Sequence, residues 1–379
     1  MMTYKNSTYI FLHRILKGFA DALVKLFIPL LIYKATQDLM YSLLFCVITY
    51  AVTGVLFAVL RKFMTKFPIL VIILHVIPMI AIQFLINNIN ITTIIIIAIV
   101  HAIATAFYWG GVNLVFGFND EKTDTSKFQS AEHIGKIFCI AFSAVVLGEI
   151  QNALLFVTIF AGIMYILSVI PLLINYKALS NGIKIDSNLK MKTILQDNKQ
   201  FNLYHICYSV LHVFTTVFLP LYLYSKGLSF TATGFILVLQ EVVFIAGSYV
   251  SKFFSKINKE KLLVILCSAM ICVSIVLIWL IQNVIIIYIL TLLISFCFQG
   301  IFVLLLQKFF VEQRQKGFLQ NSLFYREVIL NFSRASTCGI YMIGLIAPVM
   351  FGVGIAFSGG ICFTSLKCLE QTKEDEQVK

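Results

Sequence analysis

The apolar positions of this chain fall in long runs, separated by short polar segments that carry most of the charge. A helix needs roughly 20 apolar residues to cross a ~30 Å hydrocarbon layer, and its backbone amides must be satisfied within the segment. Read with a helix-length window, the runs predict twelve spanning helices, near 9–33, 40–60, 68–87, 92–117, 133–151, 153–174, 202–225, 230–252, 262–281, 284–307, 321–343 and 345–366. The eleventh is the least apolar, because Arg326, Glu327, Asn331 and Arg334 fall inside it. The expected class is therefore an all-α membrane protein.

The placement of Lys and Arg tests this map, since positive residues favour cytoplasmic loops. With the N-terminus inside, the inner segments hold nearly all of them, and the outer loops hold only Lys34 and Lys226. Five others, Arg14, Lys17, Lys25, Arg326 and Arg334, lie within spans. A wrong number of crossings would scramble that asymmetry, so both termini are expected in the cytoplasm and the protein in the inner (cytoplasmic) membrane.

Composition agrees. Of 379 residues, 60% are hydrophobic and 12% charged, which no water-soluble fold could bury. The formal charge of +12 does not point to nucleic acid, because the basic residues sit between the apolar runs rather than on one aromatic-studded face. Nine cysteines lie mostly in apolar runs without a C-x-x-C, so neither a disulfide framework nor a zinc site is expected, and no His, Cys and carboxylate spacing suggests another metal. The first run, about 25 residues long and without an A-x-A-type cleavage pattern, reads as a span rather than a secretory signal.

An internal repeat divides the chain. Phe27-Ile-Pro-Leu-Leu-Ile-Tyr33 returns as Phe218-Leu-Pro-Leu-Tyr-Leu-Tyr224, an offset of 191, and Lys62-Phe-Met-Thr-Lys66 returns as Lys252-Phe-Phe-Ser-Lys256, an offset of 190. Gly110 falls opposite Gly300, and Gln129 opposite Gln320. Landmarks kept in order at one offset imply two parallel halves. The expected division is a six-helix bundle over 1–176, a linker loop over 177–200, a second bundle over 201–366 and a tail over 367–379.

With six plus six helices, a long central loop and basic loops after spans 2 and 8, the chain resembles the major facilitator superfamily over nearly its whole length. It departs from the family's Gly-x-x-x-Asp-Arg-x-Gly-Arg-Arg loop, lacking the Asp and the second Gly. Span 5, Ala141-Phe-Ser-Ala-Val-Val-Leu-Gly148, lacks the Gly-Pro signature of the drug/proton antiporters, and span 4 lacks their arginine. The resemblance is to a divergent member outside that group. It implies a central passage lined by helices 1, 4, 7 and 10 with 2, 5, 8 and 11, while 3, 6, 9 and 12 face outward.

An ionisable group at mid-depth costs about 2.5–3.5 kcal/mol on insertion scales, so each such residue marks a candidate site. Asp21, Lys25, His212, Glu241 and Arg334 fall on helices that the resemblance assigns to the passage. Asp21 and Lys25 can pair at i, i+4, with Arg14 and Lys17 extending the stripe, or the stripe can contact an anionic or zwitterionic solute. Glu241 could pair with Arg334 or exchange a proton under its control, and Asp21 is a second candidate for proton exchange. His212 lies opposite Asp21 under the repeat, and is either a packing residue or a ligand. In span 4, Trp109 and Asn113, one turn apart beside Gly110 and Gly111, could stack on and hydrogen-bond a solute, or belong to an interfacial aromatic belt. Glu327, Asn331 and Arg334 give span 11 one polar face. The acidic cluster Asn119–Asp124 and the tail from Glu370 read as solvated.

The function this favours is a secondary active transporter, a monomer without cofactor, moving a small solute by alternating access with proton coupling as one option. Arg61, Lys62, Lys66, Lys252 and Lys256, in the loops after spans 2 and 8, would gate it. A transport-fold sensor or accessory subunit is the alternative, and a membrane-embedded transferase a further one. The chain has no G-x-x-x-x-G-K-[ST], so a self-contained ATP-driven pump is not expected.

Overall fold

Helix is the only regular structure among the described residues of the computed structural model, which cover 4–119, 125–150, 153–180, 194, 196–281, 283–343 and 347–377. The chain enters through α1 (Tyr4–Leu23), turns through a short 3₁₀ segment at Lys25–Phe27 and continues as α2 (Ile28–Thr36). The break precedes Pro29, which occupies the first turn of α2, where its missing N–H costs nothing. There follow α3 (Leu39–Val59), α4 (Arg61–Lys66), α5 (Pro68–Leu74), α6 (Val76–Leu85), α7 (Ile91–Asn119), α8 (Thr125–Glu149), α9 (Ala153–Ile174) and α10 (Tyr176–Ser180).

The later part of the chain repeats this pattern. Helix α11 (Lys199–Val213) passes through a π segment at Phe214–Phe218 into α12 (Leu219–Ser225), and Pro220 again sits in the first turn after the irregularity. Next come α13 (Phe230–Lys256), α14 (Glu260–Leu280), α15 (Val284–Gln315), α16 (Leu319–Ile343) and α17 (Ala347–Gln377). Asp38 caps α3 by accepting from the Met40 N–H, and Ser229, at the same repeat offset, caps α13 by accepting from the Ala232 N–H.

Among the described residues, ten helices or helix pairs are long and apolar enough to cross a membrane. The rod α1–α2 and helix α16 are not among them, and these two carry most of the deep charge. Large side chains such as Phe84, Ile174 and Ile285 are more than 60% exposed, an apolar exterior that only lipid can cover. The chain is a multi-pass membrane protein.

Helix α1 packs on α8 and α9, α3 on α7, α13 on α15, and α17 on α11 and α14. The helices before residue 180 meet those after residue 199 along two long seams, α3 against α16 and α8 against α13. They also meet at both faces. At the near face, where α1 begins, Arg314 donates to the Gly117 carbonyl at 2.7 Å, and Phe116 meets Phe310. At the far face Tyr33 and Tyr224, partners in the repeat, stand edge to face with centroids 5.5 Å apart, and Phe27 stacks on Phe230.

Two sequence boundaries move. The fifth expected span, 133–151, starts earlier, because α8 begins at Thr125 and takes Lys127 and Glu132 from the expected loop into a helix. The expected tail, 367–379, is helical as far as Gln377. Residues 120–124 of the acidic cluster, and 181–193 with 195 of the expected linker, lie outside the described residues.

Candidate functional site

At the crossing of α1 and α8 two glycines remove the side chains that would hold the helices apart. A Cβ on Gly18 would stand 2.4 Å from the Glu132 carbonyl oxygen, and one on Gly135 only 2.1 Å from that of Ile15. The close approach brings Glu132 of α8 under the basic stripe of α1. Arg14 Nη2 lies 3.1 Å and Lys17 Nζ 3.5 Å from its carboxylate, and Lys136, one turn along α8, approaches it at 3.2 Å. Lys17 also pairs with Asp21 at 2.6 Å, and Lys25 reaches Asp21 at 3.5 Å, so the i, i+4 pairing expected for Asp21 and Lys25 is present with Lys17 as a stronger second partner.

Around these charges sits a polar and aromatic wall. The Tyr165 hydroxyl of α9 donates to Asp21 Oδ1 at 2.7 Å, Lys17 Nζ lies 3.8 Å from the centre of the Tyr108 ring, and Arg14 lies 3.9 Å from that of Phe128. Arg14, Lys17 and Asp21 are at most 2% exposed. Burial at that depth is tolerable only because each charge is paired and hydrogen-bonded.

The cluster does not end within α8. Lys136 also lies 3.7 Å from Glu241 on α13, and His133 Nδ1 donates to the other oxygen of that carboxylate. A continuous set of charges thus runs from Asp21 through Lys17, Glu132 and Lys136 to Glu241, crossing the α8/α13 seam. The pairing of Glu241 with Arg334 considered from the sequence does not occur. Both belong to the later part of the chain, but α13 and α16 each face a helix of the earlier part, so Glu241 meets α8 while Arg334 lies over Tyr50 of α3, 5.7 Å from its ring centre. His212 does not approach Asp21 either. It accepts or donates at 3.3 Å with the Thr216 hydroxyl and packs beside Tyr208 and Phe298.

A second polar group lies towards the near face. Asn113 Nδ2 donates to Glu327 Oε1 at 3.1 Å across the two parts of the chain, and Arg326 holds the same oxygen at 2.5 Å. Asn331 turns back to the Glu327 carbonyl at 2.8 Å instead of joining them. Trp109, Asn113 and Glu327 line one narrow crevice with Phe57 and Phe324, so three residues chosen from the sequence share a surface.

Of the expected gating residues, Arg61 reaches across the seam, donating from Nη1 to the Tyr325 hydroxyl at 2.8 Å. Lys62, Lys66 and Lys256 are exposed, with Lys66 over the Phe67 ring, and Lys252 is half-buried. Among the described residues no group of three or more His, Cys, Asp or Glu is placed to hold a metal ion.

The sequence reading does not select Glu132, His133 or Lys136: Glu132 falls just before the expected fifth span, and Lys136 counts there among the inner-face lysines. The signal was present: Glu132 and Lys136 are an i, i+4 pair one turn ahead of an apolar run, which reads as a helix continuing rather than a loop.

No family model matches the chain, and no curated protein matches it in sequence. Solved structures do. A bacterial homologue of the iron transporter ferroportin in its outward-facing state superposes with a TM-score of 0.70 at 13% identity, over 96% of this chain and 99% of the other. The same state with soaked iron gives 0.67 at 14% identity over 95% and 98%. The human organic anion transporter MFSD10 (TETRAN) gives 0.63 at 11% identity over 95% and 98%. The fold of this chain is that of the major facilitator transporters, as the resemblance implied.

Proposed function

We propose that this chain, folded as major facilitator carriers are, is a secondary active transporter that moves a small solute across the cytoplasmic membrane by alternating access. Its working units would be two six-helix bundles, 1–176 and 201–366, with the near face in the cytoplasm and the 177–200 loop joining them. The observation that carries the reading is the ionic set that crosses the α8/α13 seam. Burying four cations and three carboxylates midway along the helices is costly, and a merely structural seam is better built from apolar side chains. Pairs that exist in one arrangement of the bundles and part in another give a two-state element with a reason for its charges. Contacts between the halves at both faces support reading the present arrangement as one with the passage closed.

Glu241 is the proposed coupling carboxylate. His133 and Lys136 hold it in this arrangement, and separation of α8 from α13 would free it to take up a proton; Asp21, enclosed by Lys17, Lys25 and Tyr165, has no such release across the seam. In proteoliposomes tested with labelled anionic, neutral and cationic solutes, the wild type is expected to accumulate at least one solute under a pH gradient. Glu241→Gln should lose that accumulation while keeping solute exchange at equal pH. Gradient-driven accumulation undiminished in Glu241→Gln would remove Glu241 from the coupling role. One structural neighbour is described as a homologue of an iron transporter and another as an organic anion transporter, and the fold alone does not choose between such cargoes.

Gating follows from Arg61 and Tyr325. Tyr325→Phe removes the hydroxyl that ties α4 to α16 at the near face, a bond to a charged group worth roughly 1.5–3 kcal/mol. The population open at that face should rise several-fold, read as faster labelling by a membrane-impermeant thiol reagent of a cysteine placed at Leu323. Unchanged labelling would show that the bond does not hold the gate.

A further inference from the structure

The deep charges do not balance. Arg14, Lys17, Lys25, Lys136, Arg326 and Arg334 stand against Asp21, Glu132, Glu241 and Glu327, an excess of two positive charges with the histidines neutral. Most of these cations have a carboxylate within 4 Å. Arg334 has none among the described residues, and its Nε is buried without a hydrogen-bond partner. An isolated charge midway along a membrane helix is among the most expensive side chains a fold can carry.

Its position shows why it is not simply lost to lipid. The exposed stripe of α16 runs through Phe332, Ser336 and Ile340 at i, i+4 spacing, and Arg334 lies on the opposite side of the helix. There it faces Tyr50 of α3, with the Tyr208 side chain of α11 beside it and His212 packed on Tyr208, ring centres 5.8 Å apart. Tyr208 is held in place by stacking on Phe298 at 4.7 Å and Phe302 at 4.6 Å. Arg334, Tyr50 and His212 are half-buried, unlike the closed cluster on α1 and α8, so each keeps a free surface. A planar guanidinium with an unused N–H, flanked by two phenols and an imidazole, is the donor set that recognises a carboxylate or phosphate group.

We propose that Arg334, with Tyr50, Tyr208 and His212, forms an anion-recognition site between the two halves, and that the transported solute carries a carboxylate or phosphate. The proposal rests on the carrier reading for the word transported, but not for the binding. Bound anion supplies the counter-charge that the fold omits, and because Tyr50 and Arg334 come from different halves, it draws α3 and α16 together. A cationic solute would meet the same positive excess as a barrier.

The test uses the purified full chain in detergent, unfolded thermally in the presence of a thiol-reactive dye that reports on the buried cysteines. The probes are citrate, benzoate, glucose 6-phosphate and inorganic phosphate, with benzamide, glucose and Mn²⁺ as uncharged and cationic controls at equal ionic strength. At least one anion should raise the wild-type midpoint by about 3 °C or more at saturation. Its uncharged counterpart and Mn²⁺ should not, and Arg334→Gln should abolish the shift. Without ligand, Arg334→Gln should unfold at or above the wild-type midpoint, since the lone cation is gone. Arg334→Lys should retain part of the response. The site is overturned if no anion shifts the wild type, if Arg334→Gln responds equally, or if Arg334→Gln alone unfolds the protein as a core substitution would. A shift produced only by phosphatidylglycerol would assign the anion to lipid and overturn the solute. Exchange of the same anion in proteoliposomes separates the two claims. Binding without exchange sinks the carrier and leaves the site, while exchange untouched by Arg334→Gln sinks the site and leaves the carrier.

Discussion

Glu132→Gln is expected to cost this protein about 3–5 kcal/mol and to lower its thermal midpoint by on the order of 4–6 °C. The carboxylate is 6% exposed and stands within 4 Å of three cations. Two of them have another acid, since Lys17 keeps Asp21 at 2.6 Å and Lys136 keeps Glu241 at 3.7 Å. Among the described residues Arg14 has Glu132 as its one acidic partner, and it is wholly buried. The penalty should therefore come mainly from stranding the Arg14 guanidinium against Phe128 and Trp109. The double variant Glu132→Gln/Arg14→Met removes the stranded charge and should recover a large part of the loss, whereas Glu132→Gln/Lys136→Met should recover less. A double variant no more stable than Glu132→Gln by itself would show that the cluster is not organised around that pair.

Gly135→Ala is expected to be as damaging as that charge change, although it adds one methyl group. The new Cβ would lie 2.1 Å from the Ile15 carbonyl oxygen and 3.1 Å from the Gly18 Cα. Both are backbone, so no rotamer change relieves the contact, and α1 and α8 must separate along their crossing. Separation by roughly 1 Å would carry the 3.5 Å pair of Lys17 and Glu132 beyond ion-pair range, so packing and charge fail together. Gly162→Ala on α9 and Gly339→Ala on α16 are the controls, because nothing lies within 4 Å of either added Cβ. Each control should be neutral, or stabilising by about 0.5–1 kcal/mol from helix propensity. Thermal midpoint and elution as a single species measure all three. Equal behaviour of Gly135→Ala and Gly162→Ala would mean that the crossing is looser than the structure shows.

The spans were legible wherever an apolar run stood between polar breaks, whereas the irregular turns just before the repeated Pro29 and Pro220 appear only in the structure. Legibility failed at the start of α8. Glu132, His133 and Lys136 lower the local hydropathy, and a window that averages over a helix length places such a stretch at the edge of a span rather than within it. The same averaging leaves α1 and α16 short of a spanning helix by composition, although they carry Asp21 and Arg334. Charge buried between helices and charge that marks a loop look alike until a neighbouring helix is in place.

The sequence by itself determined that this chain crosses a membrane many times, that its later part repeats its earlier part, and that ionisable groups lie midway along several helices. Those are consequences of transfer free energies, which accumulate residue by residue along the chain and need no knowledge of neighbours. Only the tertiary structure decided which charges meet. Arg14 finds Glu132 118 residues away, His133 finds Glu241 at 108, and Arg334 is left to Tyr50 with no acid beside it among the described residues. Coulomb energy in a low-dielectric interior changes steeply over a few ångströms, and those ångströms are set by Gly18 against Gly135 and by the α8/α13 and α3/α16 seams.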